Sequence, residues 1–173
     1  MTEKGSGDTA VEKVTIDGKS GYSRLMALLD TLSRDLVKVP LLANDKNEVL
    51  HELLGILDSA GKVRDRPAAF EALVERENLG STGLERGIAI PHAQTDAVDD
   101  LTIAIGVAPQ GIAFGSMDGQ LSRIFFLILT APEQSHAHLE ALSEIARMSQ
   151  SETLLTGFVN SRSPAGILML LRG

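Results

Sequence analysis

Leu25, Leu28, Leu29 and Leu32 recur at spacings of three and four, so the pattern predicts a short amphipathic helix over Arg24 to Leu32. Leu36-Val37-Lys38-Val39-Pro40-Leu41 then reads as an extended segment. Its proline has no N–H to give a ladder, which predicts a sheet edge or a strand end. Val49, Leu50, Leu53, Leu54 and Leu57 form a firmer helical stripe, with Asn44 as the expected N-cap and Gly61 as the stop. A third helix is expected from Asp65, with Pro67 in its first turn, Phe70, Leu73 and Val74 inward, and Gly80 at its end.

The period then changes. Ile88-Ala89-Ile90 is a short strand bounded by Gly87 and Pro91, and Leu101, Ile103, Ile105 and Val107 alternate with small residues at period two. The unbroken apolar run Ile124 to Leu129 is what a central strand covered on both faces requires. A helix resumes after Pro132 with Leu139, Leu142, Ile145 and Ala146 inward, and Ser151 and Ser163-Pro164 open two more. Strands lying between groups of helices predict an α/β fold, a mixed β-sheet sandwiched between helical layers.

Residues 1–22 are rich in Gly, Ser, Thr, Lys and Asp. Too little apolar surface is available there to offset ordering entropy, so a mobile tail is expected, with a short strand at Val14-Thr15-Ile16 as the alternative. Residues 23–173 remain as one domain, an ordinary size for a core of its own. The net charge of −7 and the absence of a Lys/Arg cluster argue against nucleic acid, which needs a basic face. Cysteine is absent, which removes disulfides, thiolate metal sites and thiol nucleophiles together. No apolar run approaches the ~20 residues of a membrane span, and the first residues carry no signal-peptide h-region, so membrane insertion is not expected and a cytoplasmic domain is.

Four histidines are the natural chemical suspects. His51 lies off its helix's apolar stripe, among Asn47, Glu48 and Glu52, and reads as solvated surface. His136 and His138 would diverge by about 200° near a helix start, which disfavours a two-histidine metal clamp. His138 lies on the inward edge of that helix, in its first turns, where the positive end of the dipole opposes an imidazolium. Two readings stand for it: a buried structural ring, or a neutral donor to an anion at the helix start. His92 directly follows the strand Ile88–Ile90 and Pro91, a place where a rigid sheet presents side chains for chemistry, although an incidental role fits the spacing as well. The segment Gly80-Ser81-Thr82-Gly83-Leu84-Glu85-Arg86-Gly87 lacks the Gly-Lys-Ser/Thr ending of a nucleotide loop. It reads either as a flexible connection or as a cradle for a phosphoryl group.

Arg76-Glu77-Asn78-Leu79-Gly80-Ser81-Thr82-Gly83, then Gly87-Ile88-Ala89-Ile90-Pro91-His92, resembles the fructose/mannitol/nitrogen-regulatory (type 2) class of phosphotransferase-system enzyme IIA domains. Asp118-Gly119, Phe125-Phe126-Leu127, Pro132 and His138-Leu139-Glu140-Ala141-Leu142 extend the resemblance from about residue 24 to the C-terminus. It implies a phosphocarrier in which His92 accepts a phosphoryl group from the carrier protein HPr or a paralogue, His138 stabilises that group and Arg76 contacts it. Ser81 and Thr82 add candidate hydroxyl contacts. No cofactor and no metal is needed by this chemistry. Two positions depart from the family pattern: Ala93 stands where Gly is usual, and Gln94 where Lys or Arg is common, which weakens the local pull on phosphate. The family's IIB domain of this class uses cysteine and its IIC domain spans the membrane. A chain with neither feature is expected to act in trans, on a separate IIB/IIC transporter or on a regulated partner protein. A regulatory module switched by phosphorylation is the second reading, and a metal hydrolase built from His92, His136 and His138 a remote third.

Overall fold

The computed structural model describes residues 24–173. The tail assigned to residues 1–22, and its strand option at Val14–Ile16, lie outside the described residues. Among the described residues, five strands form one sheet: β1 (Val37–Lys38), β2 (Ile88–Ala89), β3 (His92–Gln94), β4 (Thr102–Ile112) and β5 (Ser122–Thr130). The order is β1-β4-β5-β2, with β3 also pairing β5. β1 runs parallel to β4, β2 and β3 run parallel to β5, and β4 and β5 are antiparallel. The sheet is therefore mixed, with β5 central and β1 at an edge, where the Pro40 pattern placed it.

Among the described residues, six α-helices cover it: α1 (Arg24–Thr31), α2 (Lys46–Ser59), α3 (Arg66–Asn78), α4 (Ser135–Met148), α5 (Glu152–Asn160) and α6 (Pro164–Arg172). α2 and α3 pack on each other and against β4 and β3. α1, α4, α5 and α6 form the second group, with α4 and α5 against β5. Ile124 to Leu129 are all buried, because both faces of β5 are roofed by helices. Phe125 meets Phe114 edge-on and Phe126 meets Phe158 of α5. Among the described residues no helix is long and apolar enough to cross a membrane.

Several details differ from the sequence expectation. Asp45, not Asn44, caps α2: its side chain accepts the Glu48 amide, while the Glu48 carboxylate accepts the Asn44 amide at 2.7 Å. Ala69 and Leu73 are the buried residues of α3, while Phe70 is half-buried because it stacks on the exposed ring of His51, with centroids 3.8 Å apart. On α4, Leu139 is 63% exposed and Ala146 is exposed. The inward face there is Ala137, His138, Ala141 and Ile145, small residues that let the helix approach β5. His92 begins β3 and is not a loop residue.

Candidate functional site

α3 ends with Arg76 in its last turn, and the chain returns through Gly80–Gly87 to enter the sheet at β2. This turn is braced from beneath by Glu77, whose side chain is only 6% exposed and receives Lys46 Nζ at 2.9 Å. The Glu77 carboxylate also accepts the Thr82 hydroxyl and amide. Ser81 Oγ donates to the Phe114 carbonyl at 2.7 Å and accepts the Gly83 amide at 3.1 Å. Both hydroxyls are therefore already engaged, Thr82 by Glu77 and Ser81 by Phe114. Neither side chain lines the cleft beside His92, so the structure does not bring Ser81 and Thr82 to the other candidates.

Arg76, His92 and His138 do meet. They line one open cleft of ≈ 290 Å³ together with Glu75, Leu79 and Gln94. Pro91 is buried and β3 is registered on β5, His92 opposite Ile128, which fixes where the ring emerges. His92 Nδ1 lies 2.6 Å from the Ile90 carbonyl oxygen, and Arg76 Nε lies 3.2 Å from His92 Nε2. A carbonyl can only accept and a guanidinium can only donate. The proton of the neutral ring is thus on Nδ1, and the lone pair on Nε2 faces Arg76 and the cleft. Burial pushes the His92 pKa below the ordinary histidine value, and the Arg76 charge adds to that, against opposing effects of the Ile90 hydrogen bond and Glu77. The net effect favours the uncharged ring. Arg76 is itself held by Nη1 on the Gly80 carbonyl at 2.9 Å.

His138 sits in the first turn of α4 with 8% exposure. Its ring centroid is 5.3 Å from that of His92, the planes tilted by 55°. Burial first, then the cost of a second positive charge beside His92 and Arg76, lowers its pKa to about 4. Two neutral imidazoles and one guanidinium make a site suited to a nucleophilic nitrogen and a tetrahedral anion. His136 is exposed on the other side of the helix, and among the described residues no three potential metal-ligating side chains converge. Ala93 is buried opposite Leu129, so its methyl is absorbed by the core. Gln94 is exposed and donates Nε2 to Ser135 Oγ at 3.1 Å, tying β3 to the start of α4 where a cation would otherwise reach the cleft.

A second groove, of ≈ 320 Å³, lies between Arg86, Arg123 and α5. No histidine lines it, Glu152 enters it, and its arginines are engaged with the backbone carbonyls of Ser149, Gln150 and Pro109. Arg76, His92 and His138 come together only at the histidine cleft, and none of the three lines this second groove.

Residues 30–173 match the family model described as phosphoenolpyruvate-dependent sugar phosphotransferase system, EIIA 2. The chain is 34% identical over 146 residues to the PTS system fructose-specific EIIABC component of Bacillus subtilis, covering 84% of this chain but only 23% of that one. It is 37% identical over 118 residues to the PTS system fructose-specific EIIA component of Haloferax volcanii, covering 68% of this chain and 77% of that one. A nitrogen regulatory protein of Bradyrhizobium diazoefficiens is 33% identical over 147 residues, covering 84% and 95%. Among solved structures, nitrogen regulatory protein IIA-Ntr from Neisseria meningitidis superposes with a TM-score of 0.77 at 25% identity, over 84% of this chain and 99% of that one. The complex of enzyme IIAMTL and phosphorylated enzyme IIBMTL from Escherichia coli matches with a TM-score of 0.72 at 22% identity, over 82% and 97%, a likeness of fold.

Proposed function

Because the chain belongs to the phosphoenolpyruvate-dependent sugar phosphotransferase system EIIA 2 family, we propose that it is a phosphocarrier in which His92 Nε2 accepts a phosphoryl group from an HPr-like protein. The observation that carries this reading is the fixed tautomer of His92: Nδ1–H is held by the Ile90 carbonyl, and Nε2 is unprotonated, its lone pair accepting from Arg76 Nε. Nε2 attacks the phosphorus of the donor's phosphohistidine; an N–P bond forms here and the donor's N–P bond breaks, its electron pair returning to the donor imidazole. The Nδ1 proton stays in its bond to Ile90, so no base is required. The ring being neutral, the lone pair is available without prior deprotonation.

The phosphoryl group carries roughly two negative charges. Arg76 compensates one of them and offers a planar pair of donors when its Nε turns from the ring to the phosphate oxygens. His138, its ring centroid 5.3 Å from that of His92, supplies a neutral contact. Transfer between nitrogens asks little of the protein beyond in-line positioning and charge stabilisation. Leu79, 86% accessible, lines the cleft and suits a partner that docks over it. The onward acceptor is read as a separate IIB component, by likeness to the Escherichia coli pair.

A regulatory role is the second reading, favoured by the match to 95% of the Bradyrhizobium nitrogen regulatory protein. There the same phosphorylation would switch a partner contact. Incubation with phosphorylated HPr, followed by addition of a IIB component, tests both. Acid-labile label on the wild type and none on a folded His92→Ala variant is expected. Label that passes to IIB supports the carrier reading, and label that stays supports regulation. Full labelling of His92→Ala would reject the site.

A further inference from the structure

Thr130 ends β5, where a run of six apolar residues gives way to one hydroxyl in a wholly buried position. Its Oγ1 lies 2.7 Å from Nδ1 of His138, the partner the structure gives that hydroxyl among the described residues. Two proton arrangements are open to the pair. If Nδ1 carries the imidazole proton, it donates to Oγ1, and the hydroxyl proton is left without an acceptor among the described residues, at a position with no solvent exposure. If the hydroxyl donates to Nδ1, both protons are placed: O–H is bonded, and the imidazole proton sits on Nε2. A buried donor left unpaired gives up its bond to water for nothing, so the second arrangement dominates by about tenfold or more.

We propose that Thr130 is a positioning residue that holds His138 as its Nε2–H tautomer, so that a hydrogen-bond donor rather than a lone pair is presented to a phosphoryl group on His92. The choice has consequences because His138 is neutral. Its burial and the positive potential beside it suppress the imidazolium, which would have carried protons on both nitrogens. A neutral ring offers one donor and one acceptor. With the lone pair toward His92, it would repel phosphoryl oxygens; with N–H there, it attracts them. The protein thus obtains a donor of fixed direction from an uncharged ring, with Thr130 reaching the site only through His138. The effect on transfer rests on the phosphocarrier reading, whereas the tautomer does not.

Nitrogen-15 NMR of the imidazoles in the full chain, at about pH 7.5 where the ring is neutral, tests the tautomer directly. Wild type and Thr130→Ser should show His138 protonated at Nε2 and bare at Nδ1. Thr130→Val, which keeps the shape and removes the hydroxyl, should shift the ring toward a mixture. It should also slow single-turnover acceptance from phosphorylated HPr by about 10-fold, with Thr130→Ser within about 3-fold of wild type. A wild-type His138 protonated at Nδ1 overturns the proposal, and that spectrum decides the question even if Thr130→Val fails to fold. A folded Thr130→Val with unaltered tautomer and rate overturns it equally. A wild-type chain that takes up no phosphoryl group overturns the carrier reading instead, and the NMR result still judges Thr130.

Discussion

Acidification should weaken the folded state by a definable amount through His138, and replacing that residue should abolish that part of the loss. In the folded protein, burial first, then the potential of His92 and Arg76, lowers its pKa to about 4, against about 6.5 in an unfolded chain. As pH falls, the unfolded state therefore binds this proton first. The stability contributed by the neutral ring is complete above about pH 6.5, is lost progressively between there and about pH 4, and falls no further below. At pH 5 the linkage relation gives a loss of about 2 kcal/mol from this one ring. Carboxylates such as Glu52, whose burial is outweighed by its bonds to Lys38 and to the Leu42 and Ala43 amides, titrate in both proteins and cancel in the comparison. The assay is urea unfolding of wild type and His138→Gln at about pH 7.5 and pH 5. Near pH 7.5 the variant should be less stable by about 1–3 kcal/mol, through the lost Thr130 bond and packing. By pH 5 that gap should shrink by about 2 kcal/mol. A gap that stays constant would refute the picture of His138 as a desolvated neutral ring.

Arg76→Lys keeps the charge but loses the Nε approach to His92 and the planar fork, so phosphoryl acceptance should slow by about 10–100-fold in a single-turnover assay; an unchanged rate would reduce Arg76 to a local brace for Gly80. Glu77→Ala removes the acceptor shared by Lys46 and Thr82 and should lower stability by about 1–3 kcal/mol in thermal or urea unfolding, whereas Glu75→Ala, on the cleft's rim, should cost less than about 0.5 kcal/mol. His51→Ala and His136→Ala should label as wild type does, since neither lines the cleft; lost labelling in either would misplace the site. A chain lacking residues 1–22 should label at the wild-type rate, because the family match begins at residue 30; failure would move the proposed 23–173 boundary.

The strongest signals in the sequence were those in which one physical requirement acted alone. Ile124 to Leu129 had to be a strand covered on both faces, and it is. Asp65 with Pro67 named the start of α3, and the Asp65 side chain accepts the Ala68 amide there. His138 was placed inward by its spacing to Ile145, and it is buried. Where two residues competed for one role, the pattern misled. Asn44 and Asp45 are adjacent capping types, and the choice between them turned on the Glu48 carboxylate engaging the Asn44 amide. Leu139 outranks Ala137 and Ala141 in hydropathy, yet the close approach of α4 to β5 favours alanine, and the leucine is left exposed. Ser81 and Thr82 looked free because Glu77, which occupies Thr82, precedes them by only a few residues and gave no periodic signal. The meeting of Arg76 with His92 was not legible from spacing at all. It depends on α3 packing against β3, a tertiary contact, and only the family resemblance anticipated it.

The central claim is that a neutral His92 presents Nε2 as the phosphoryl acceptor. Phosphorus–nitrogen NMR of the nitrogen-15-labelled chain, after phosphorylation by HPr, reads the modified atom directly. A single phosphohistidine at His92 is expected, bonded through Nε2, with the proton retained on Nδ1. A phosphoryl group on Nδ1 of His92, on His138 or on any other residue would contradict it.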